Sequence, residues 1–186
     1  MKQPKTKTIR RGAFGLTMGL SARDLGTALE MTAPFSFRAG AVPQPRPGFD
    51  IYQLMITPAC GLSRVTSVGQ FIPTDGDGAA LRAAFDALET DLARAFGPGE
   101  RLDGAAPGRS LAVGPSWTSA LASGAWLLNT RWLAYSGATL DDGLESVVLA
   151  ARAIKSEQGF LLLQYQFANI AEAEAELEDW PFRVRG

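Results

Sequence analysis

Apolar and polar residues alternate along several stretches of this chain, a pattern that predicts β-strands with one buried face. The stretch GFLLLQYQFAN, residues 159–169, shows the pattern best. One face of that strand is apolar and consists of Leu161, Leu163, Tyr165 and Phe167. The opposite face is mixed and consists of Phe160, Leu162, Gln164, Gln166 and Ala168. The apolar face is therefore expected to lie against a core.

Further stretches alternate in the same way and are separated by short turns. They predict strands at 35–38, 50–57, 63–72, 126–136 and 144–154, and residues 14–18 are expected to form a short strand or an extended lead-in. The segment KSEQG, residues 155–159, is short enough for a hairpin between the last two strands. Strands that follow one another through short turns predict antiparallel pairing.

Apolar residues spaced three and four apart, together with capping signals, predict helices at 21–30, 78–96, 116–124 and 170–180. Ser21 is the expected N-cap of the first helix, with Asp24 three residues later as a weak capping box. Asp75 or Asp77 is expected to cap the second helix, and Asn169 the last.

The order of these elements predicts an α+β protein with antiparallel sheets and the helices packed on one face. A helix followed by three strands occurs twice, in residues 13–73 and 74–186, and residues 99–114 are expected to be a long loop in the second unit. Residues 1–12 form a basic N-terminal arm, and the two units are expected to make one compact domain. The other face of the sheet, if concave, would be a natural docking surface.

The composition limits the chemistry that the chain can perform. It has 186 residues, no histidine and one cysteine, Cys60. Without imidazole, the chain has no Ser-His or Cys-His nucleophile and lacks the commonest zinc ligand. A single cysteine excludes an intramolecular disulfide. The sequence therefore predicts neither a metal nor a cofactor, and an enzyme would have to use carboxylates, Lys, Arg or Tyr.

Charge and hydropathy bear on partners and on location. The net charge is −1, which gives no reason to expect nucleic acid as a partner. No run of residues approaches the roughly 18 apolar residues of a membrane span. Residues 1–22 combine a basic start with an apolar run broken by glycines, which is a poor secretion signal. We expect a cytoplasmic protein, the alternative being a periplasmic or exported one if this segment acts as a signal.

Several groups of polar residues are candidate sites. The segment TDGDG, residues 74–78, echoes a calcium loop but lacks the later Glu ligand, so a capping turn is expected. Asp141 and Asp142, or the Glu residues of 172–178, could serve as acid and base, although adjacent carboxylates in a Gly-flanked loop are usually turn residues. Cys60 is expected to be a small hydrophobic residue in a turn.

Tryptophan is concentrated in one segment. Trp117, Trp126 and Trp132 lie within sixteen residues, accompanied by Arg131 and Tyr135. Trp, Tyr and Arg dominate the hot spots of protein interfaces, so these five residues are the candidate interface. The alternative is that Trp126 and Trp132, which share one face of a strand, belong to the core.

Two segments carry a resemblance to known families. FGLTMGLSARDLGTAL followed by YQLMITPACGL resembles the helix-then-meander unit of the BamE/SmpA-like bacterial proteins, and a tandem pair of such units resembles the architecture of β-lactamase inhibitory proteins. WLAYS, LESVVLAARAI and GFLLLQYQFAN resemble the last strands of small uncharacterised bacterial proteins. The chain has no lipobox cysteine near the N-terminus and cannot form the inhibitors' disulfides. The resemblance implies a fold and a tendency to bind proteins.

These observations lead to one expected function and two alternatives. The leading prediction is a non-enzymatic module that binds another protein, in the manner of an immunity, inhibitor or adaptor protein. A homodimer through an edge strand is a further expectation. The alternatives are a carboxylate-dependent hydrolase and a protein that binds a small molecule or lipid between sheet and helices.

Overall fold

The structure is a computed structural model that describes residues 12–26, 28–109, 116–155 and 157–180. These residues form nine strands, three α-helices and a short 3-10 turn at Ala134–Ser136. In chain order the elements are β1 (Leu29–Ala33), β2 (Ser36–Ala39), β3 (Phe49–Thr57), β4 (Gly61–Gly69), β5 (Ile72–Pro73), α1 (Ala79–Phe96), β6 (Glu100–Ala105), α2 (Trp117–Ala122), β7 (Trp126–Leu133), β8 (Leu144–Lys155), β9 (Gln158–Phe167) and α3 (Ile170–Glu178).

The strands form one antiparallel sheet in the order β1-β2-β3-β4-β9-β8-β7-β6, with β5 beside β9. The predicted α+β class is therefore confirmed. The central pair is β4 and β9, so strands from the two halves of the chain meet in the middle of one sheet. Strands β1 and β6 are its two edges, and the predicted homodimer would form through one of these.

The sheet has an inner face that carries the core. The alternation of β9 is confirmed, because Leu161, Leu163, Tyr165 and Phe167 are each at most 7% exposed. Helices α1 and α2 cover the inner face over the second half of the chain, and residues 12–26 with the loop 40–48 cover it over the first half. Burying this many apolar side chains is the main favourable contribution to folding.

Helix α1 lies where its apolar spacing predicts. Leu81, Phe85, Leu88 and Leu92 are buried against the sheet. The N-cap position is Gly78, which makes no side-chain capping bond. Asp75 caps the first turn instead, because its Oδ1 accepts a hydrogen bond from the backbone N–H of Ala79 at 3.1 Å. No helix in the part of the chain that the structure describes is long and apolar enough to cross a membrane.

The predicted helix at 21–30 is wrong. Ser21 and Asp24 do make the expected pair, with the Ser21 hydroxyl donating to Asp24 at 2.6 Å. The chain then leaves the helical path at Gly26, whose φ is +61°, and continues into β1. The Ser21–Asp24 pair therefore closes only a single turn. The residues after Gly26 form β1, which pairs with β2 instead of continuing a helix.

Three smaller expectations are also corrected. Residues 100–105 of the predicted loop 99–114 form edge strand β6, which pairs with β7. Residues 14–18 form a turn closed by an Ala13–Leu16 bridge, not a strand. Asn169 occupies the N-cap position of α3 but makes no capping bond, and its amide instead donates to the carbonyl of Cys60 at 2.9 Å.

The predicted pair of helix-plus-three-strand units is not confirmed. The first half of the chain has no helix before its strands in the described residues, and the sheet is continuous across both halves. Residues 1–11 of the predicted basic arm, and Pro181, the expected stop of the last helix, lie outside the described residues.

Candidate protein-binding surface

The tryptophans of the candidate interface belong to the inner layer of the molecule. Trp132 is 1% exposed and its indole donates to the carbonyl of Gly97 at 2.8 Å. Trp126 lies on the same face of β7 and donates to the Asp103 carboxylate at 2.8 Å. Trp132 therefore belongs to the core and holds the end of α1 to the sheet, whereas Trp126 is half-buried and links β7 to β6.

Trp117 has a different environment, at the start of α2. The guanidinium carbon of Arg82 lies 3.8 Å from the centre of its ring, which is a cation–π contact. The same ring fills the space that a side chain at Gly78 would need. Trp117 is therefore a wedge between α2 and the first turn of α1.

Arg131 and Tyr135 do not lie with the tryptophans. Arg131 points to the opposite side of the sheet from Trp132, because successive residues of a strand alternate. Tyr135 is 84% exposed in the 3-10 turn after β7. The five candidate residues therefore do not form one surface, and only Arg131 lies on the outer face of the sheet.

The outer face is the side of the sheet away from α1. Helix α3 covers one end of it, where Ile170 and Ala173 pack on Met55 and Arg64 pairs with Glu174 at 3.4 Å. No other helix of the described residues packs on this face. We call the rest of the outer face, over which no helix of the described residues lies, its open part, although Ala150 within it is only 1% exposed.

A row of apolar side chains crosses this open part of the sheet. Register pairs link one residue from each of six adjacent strands, and we call these residues the apolar row: Leu102, Asn129, Ala150, Leu162, Val68 and Ile51. An antiparallel sheet that faces water usually carries polar residues on that side. Five of the six residues here are apolar, so this face departs from an ordinary solvated one.

Exposed apolar residues lie along the apolar row and beside it. Leu102 is 40% exposed and Ile51 is 38% exposed. Phe71 is 56% exposed and packs edge-on against Phe160 of β9, with 6.1 Å between ring centres. Within the apolar row, exposure is greatest at its two ends, because Asn129 and Ala150 in the middle are 7% and 1% exposed. Exposed apolar side chains grouped on one face mark interaction surfaces more often than scattered ones do.

Asn129 is the one polar member of the apolar row. It is 7% exposed, and its Oδ1 accepts no hydrogen bond from any residue that the structure describes. A buried polar atom without a partner costs about 1–3 kcal/mol. The oxygen is enclosed in the free chain, so a donor from outside would recover that cost only once the side chain turns outward.

A second row borders the apolar row and is mostly polar. It crosses all eight strands of the sheet order and consists of Glu100, Arg131, Val148, Gln164, Thr66, Gln53, Arg38 and Glu30. Opposite charges neighbour each other at both ends of this polar row, whereas its centre is uncharged. Protein interfaces have an apolar centre surrounded by a polar rim. The apolar row has the composition of such a centre, and the polar row has the composition of part of a rim.

A cluster of acidic residues around one arginine lies on the inner side. Arg101 bonds Asp86 at 2.8 Å and Glu89 at 2.6 Å, and Glu89 also accepts from the Thr130 hydroxyl. Partial burial opposes the charge, but these carboxylates raise the pKa of Arg101 above its ordinary value. No three His, Cys, Asp or Glu side chains within the described ranges could together hold a metal ion. The cluster ties α1 to β6 and β7.

The sequence contained a signal for the outer face. Both faces of residues 159–167 carry large apolar side chains, and only one of them could be needed for the core. Phe160 and Leu162 were the residues that did not fit an ordinary solvated strand. Comparisons of the chain with protein-family models, with curated proteins and with solved structures give no match.

Proposed function

We propose that this chain is a non-enzymatic protein-binding module whose binding surface is the open part of the outer face. The observation that carries the proposal is the apolar row, because it lies on the part of the outer face that no helix of the described residues covers. The expected partner is another protein with a complementary apolar surface and hydrogen-bonding groups around it.

Covering the exposed apolar side chains of the outer face with a protein lowers the free energy compared with leaving them in water. Burying one Leu, Ile or Phe side chain contributes about 1.5–3 kcal/mol. Ile51, Leu102 and Phe71 each keep more than a third of their surface exposed, so a partner gains from covering them. The amides of Gln53 and Gln164 in the polar row can bond a partner's backbone without the cost of burying a charge.

Site-specific photocrosslinking tests the proposal. The photoreactive amino acid p-benzoylphenylalanine would replace Phe160 on the outer face, in cells that naturally produce the chain. A matched control would carry the same group at Ala83, an exposed position of α1 on the other side of the molecule. We expect a discrete protein adduct from the Phe160 position and none of that mass from the Ala83 position.

The result that contradicts the proposal is equally specific. A lack of adducts at Phe160, and at Leu162 when it is replaced in the same way, would show that nothing covers the apolar row. The same adduct from both faces would indicate nonspecific contact. Either pattern would remove the outer face as the binding surface.

A carboxylate-dependent hydrolase has less support. Such an enzyme needs an acid whose pKa is raised toward neutrality. Hydrogen bonds from Ser21 lower the pKa of Asp24. At Glu176, slight burial acts to raise the pKa, but hydrogen bonds from Thr57 and the backbone N–H of Ala59 outweigh it and lower the pKa. These carboxylates are therefore held in their charged form, which suits a structural role.

A further inference from the structure

A groove of about 730 Å³ lies at one corner of the sheet, away from the apolar row. Its walls come from the β1–β2 hairpin, from residues 19–22 and from the turn between β3 and β4. Trp180, just after α3, closes one side and packs against Phe35 with 4.8 Å between ring centres. We call this space the corner groove.

No charged residue is among the described residues that line the corner groove. The lining consists of Gly19, Ser21, Ala22, Met31, Thr32, Ala33, Pro34, Phe35, Phe37, Ile56, Thr57, Pro58, Ala59, Gly61 and Trp180. Its volume is within the range of ligand-binding clefts, about 300–1,000 Å³, which are also mostly apolar with a few polar groups. The groove therefore suits uncharged, apolar groups.

The groove runs beside an edge of the sheet. Strand β1 is the first in the sheet order and pairs only with β2 among the described residues. Met31 of β1 lines the groove and is 68% exposed. An edge strand presents unpaired backbone groups that accept a further strand. A small molecule would fill the groove and leave this edge unpaired, whereas an extended peptide would use both.

The side chains of β1 define what such a peptide would need. Leu29 and Met31 face the inner side with the groove, and Glu30 faces the outer side. The Glu30 side chain is 70% exposed. Its nearest cationic contact is a long ion pair, with 3.7 Å between Arg38 Nη1 and Glu30 Oε2. Alternate residues of an added strand would therefore meet an apolar groove on one side and a carboxylate on the other.

We propose that the corner groove and strand β1 bind an extended peptide segment of a partner protein by strand addition. The segment has large apolar residues at every second position, which enter the groove, and a Lys or Arg between them, which faces Glu30. This site is separate from the apolar row, so a test of one site does not decide the other.

Peptide selection tests this site directly. A phage-displayed library of random peptides would be selected on the purified full chain and depleted on the Met31→Asp variant. We expect the surviving peptides to alternate apolar and other residues, with Lys or Arg among the latter. Binding of a synthetic peptide from the selection should weaken at least about tenfold in Met31→Asp.

Three controls separate strand addition from nonspecific binding. Ala105→Asp places the same charge on the opposite edge strand β6, at an exposed residue outside the apolar row, and should change the affinity by less than about twofold. Methylating the backbone nitrogens of alternate peptide residues should abolish binding in one register and leave it unchanged in the other. Glu30→Lys should reverse the preference from basic to acidic peptides.

Three results would overturn the inference. Selected peptides without a period of two, or with binding that Met31→Asp leaves unchanged, would exclude strand addition at β1. A dimer that Met31→Asp converts to a monomer would assign the edge to a second copy of the chain. Binding of an apolar dye that no peptide displaces would assign the groove to small molecules.

Discussion

The close packing of Gly19 against the start of β4 depends on the absence of a side chain at Gly61. Gly61 has a φ of +67°, and a side chain there would lie against the backbone of Gly19. Gly26 has a similar φ of +61° but open space around it. The two positions therefore separate the cost of the backbone conformation from the cost of the close approach.

Substituting alanine at these two glycines should have unequal effects. We expect Gly26→Ala to cost about 1 kcal/mol, because it adds only backbone strain. Gly61→Ala should cost about 3 kcal/mol or more, because it also pushes residues 19–20 off the β3–β4 turn. Urea unfolding of both variants checks this, and equal losses would contradict the packing described for Gly19.

Asn129 is a residue at which stability and binding should oppose each other. Asn129→Leu removes a buried, unpartnered oxygen from the apolar row and should stabilise the fold by about 1 kcal/mol. The same change should weaken binding to the crosslinked partner, because a donor on the partner loses its acceptor. Thermal unfolding and a binding titration of the same variant check both parts. A destabilised variant with unchanged affinity would contradict this account of Asn129.

Tyr165 makes the fold sensitive to alkaline pH. Burial raises its pKa to about 12 from the ordinary 10, although Arg46 opposes this slightly. Between these two pH values the unfolded chain loses the phenolic proton first, so stability is complete below pH 10 and falls as the pH rises to 12. The loss from this residue is roughly 2–3 kcal/mol.

Unfolding curves at pH 9 and pH 11.5 test the role of Tyr165. Tyr165→Phe should remove much of the alkaline loss, whereas Tyr135→Phe, at a residue that is 84% exposed, should leave it unchanged. Equal pH dependence in both variants would mean that Tyr165 ionises normally in the folded chain.

At the scale of the element, helix α1 was predictable down to its cap. Its apolar spacing places Leu81, Phe85 and Leu92 in the core, and the two aspartates before it were the only capping candidates. The choice between Asp75 and Asp77 needed the structure, because it depends on which carboxylate reaches the N–H of Ala79.

The two aspartates before α1 provide a matched test. Asp75→Ala should destabilise the protein by about 1 kcal/mol through loss of the cap. Asp77→Ala removes a similar exposed carboxylate without a capping bond and should change the stability by less than about 0.5 kcal/mol. Denaturant midpoints for the pair measure the difference, and a reversed order would contradict the cap assigned to Asp75.

Two elements could not be derived from local pattern. Ser21, Asp24 and the stripe of Leu25 and Leu29 favour a helix locally, but pairing between β1 and β2 is a nonlocal gain that the pattern does not contain. Edge strand β6 has few apolar residues, because Arg101 and Asp103 face acidic and basic groups of the helix α1 layer. The sequence of such a charged edge strand has the pattern of a loop, and only its pairing with β7 identifies it as a strand.

At the scale of the molecule, the fold class and most of the strands follow from alternation. The pairing of β4 with β9 does not, because it joins residues about a hundred positions apart, such as Thr66 and Gln164. That pairing aligns Leu162 with Val68 and so creates the apolar row. The candidate binding surface is a product of this register, which explains why the tryptophan segment was a poor guide to it.

The affinity of the crosslinked partner for two lysine variants tests the central claim most directly. Leu162→Lys places a charge in the middle of the apolar row, and Ala83→Lys places the same charge on the exposed side of α1. We expect Leu162→Lys to weaken binding at least about tenfold and Ala83→Lys to change it less than about twofold, with both variants folded. Equal affinities for the two variants, or a greater loss in Ala83→Lys, would contradict the outer face as the binding surface.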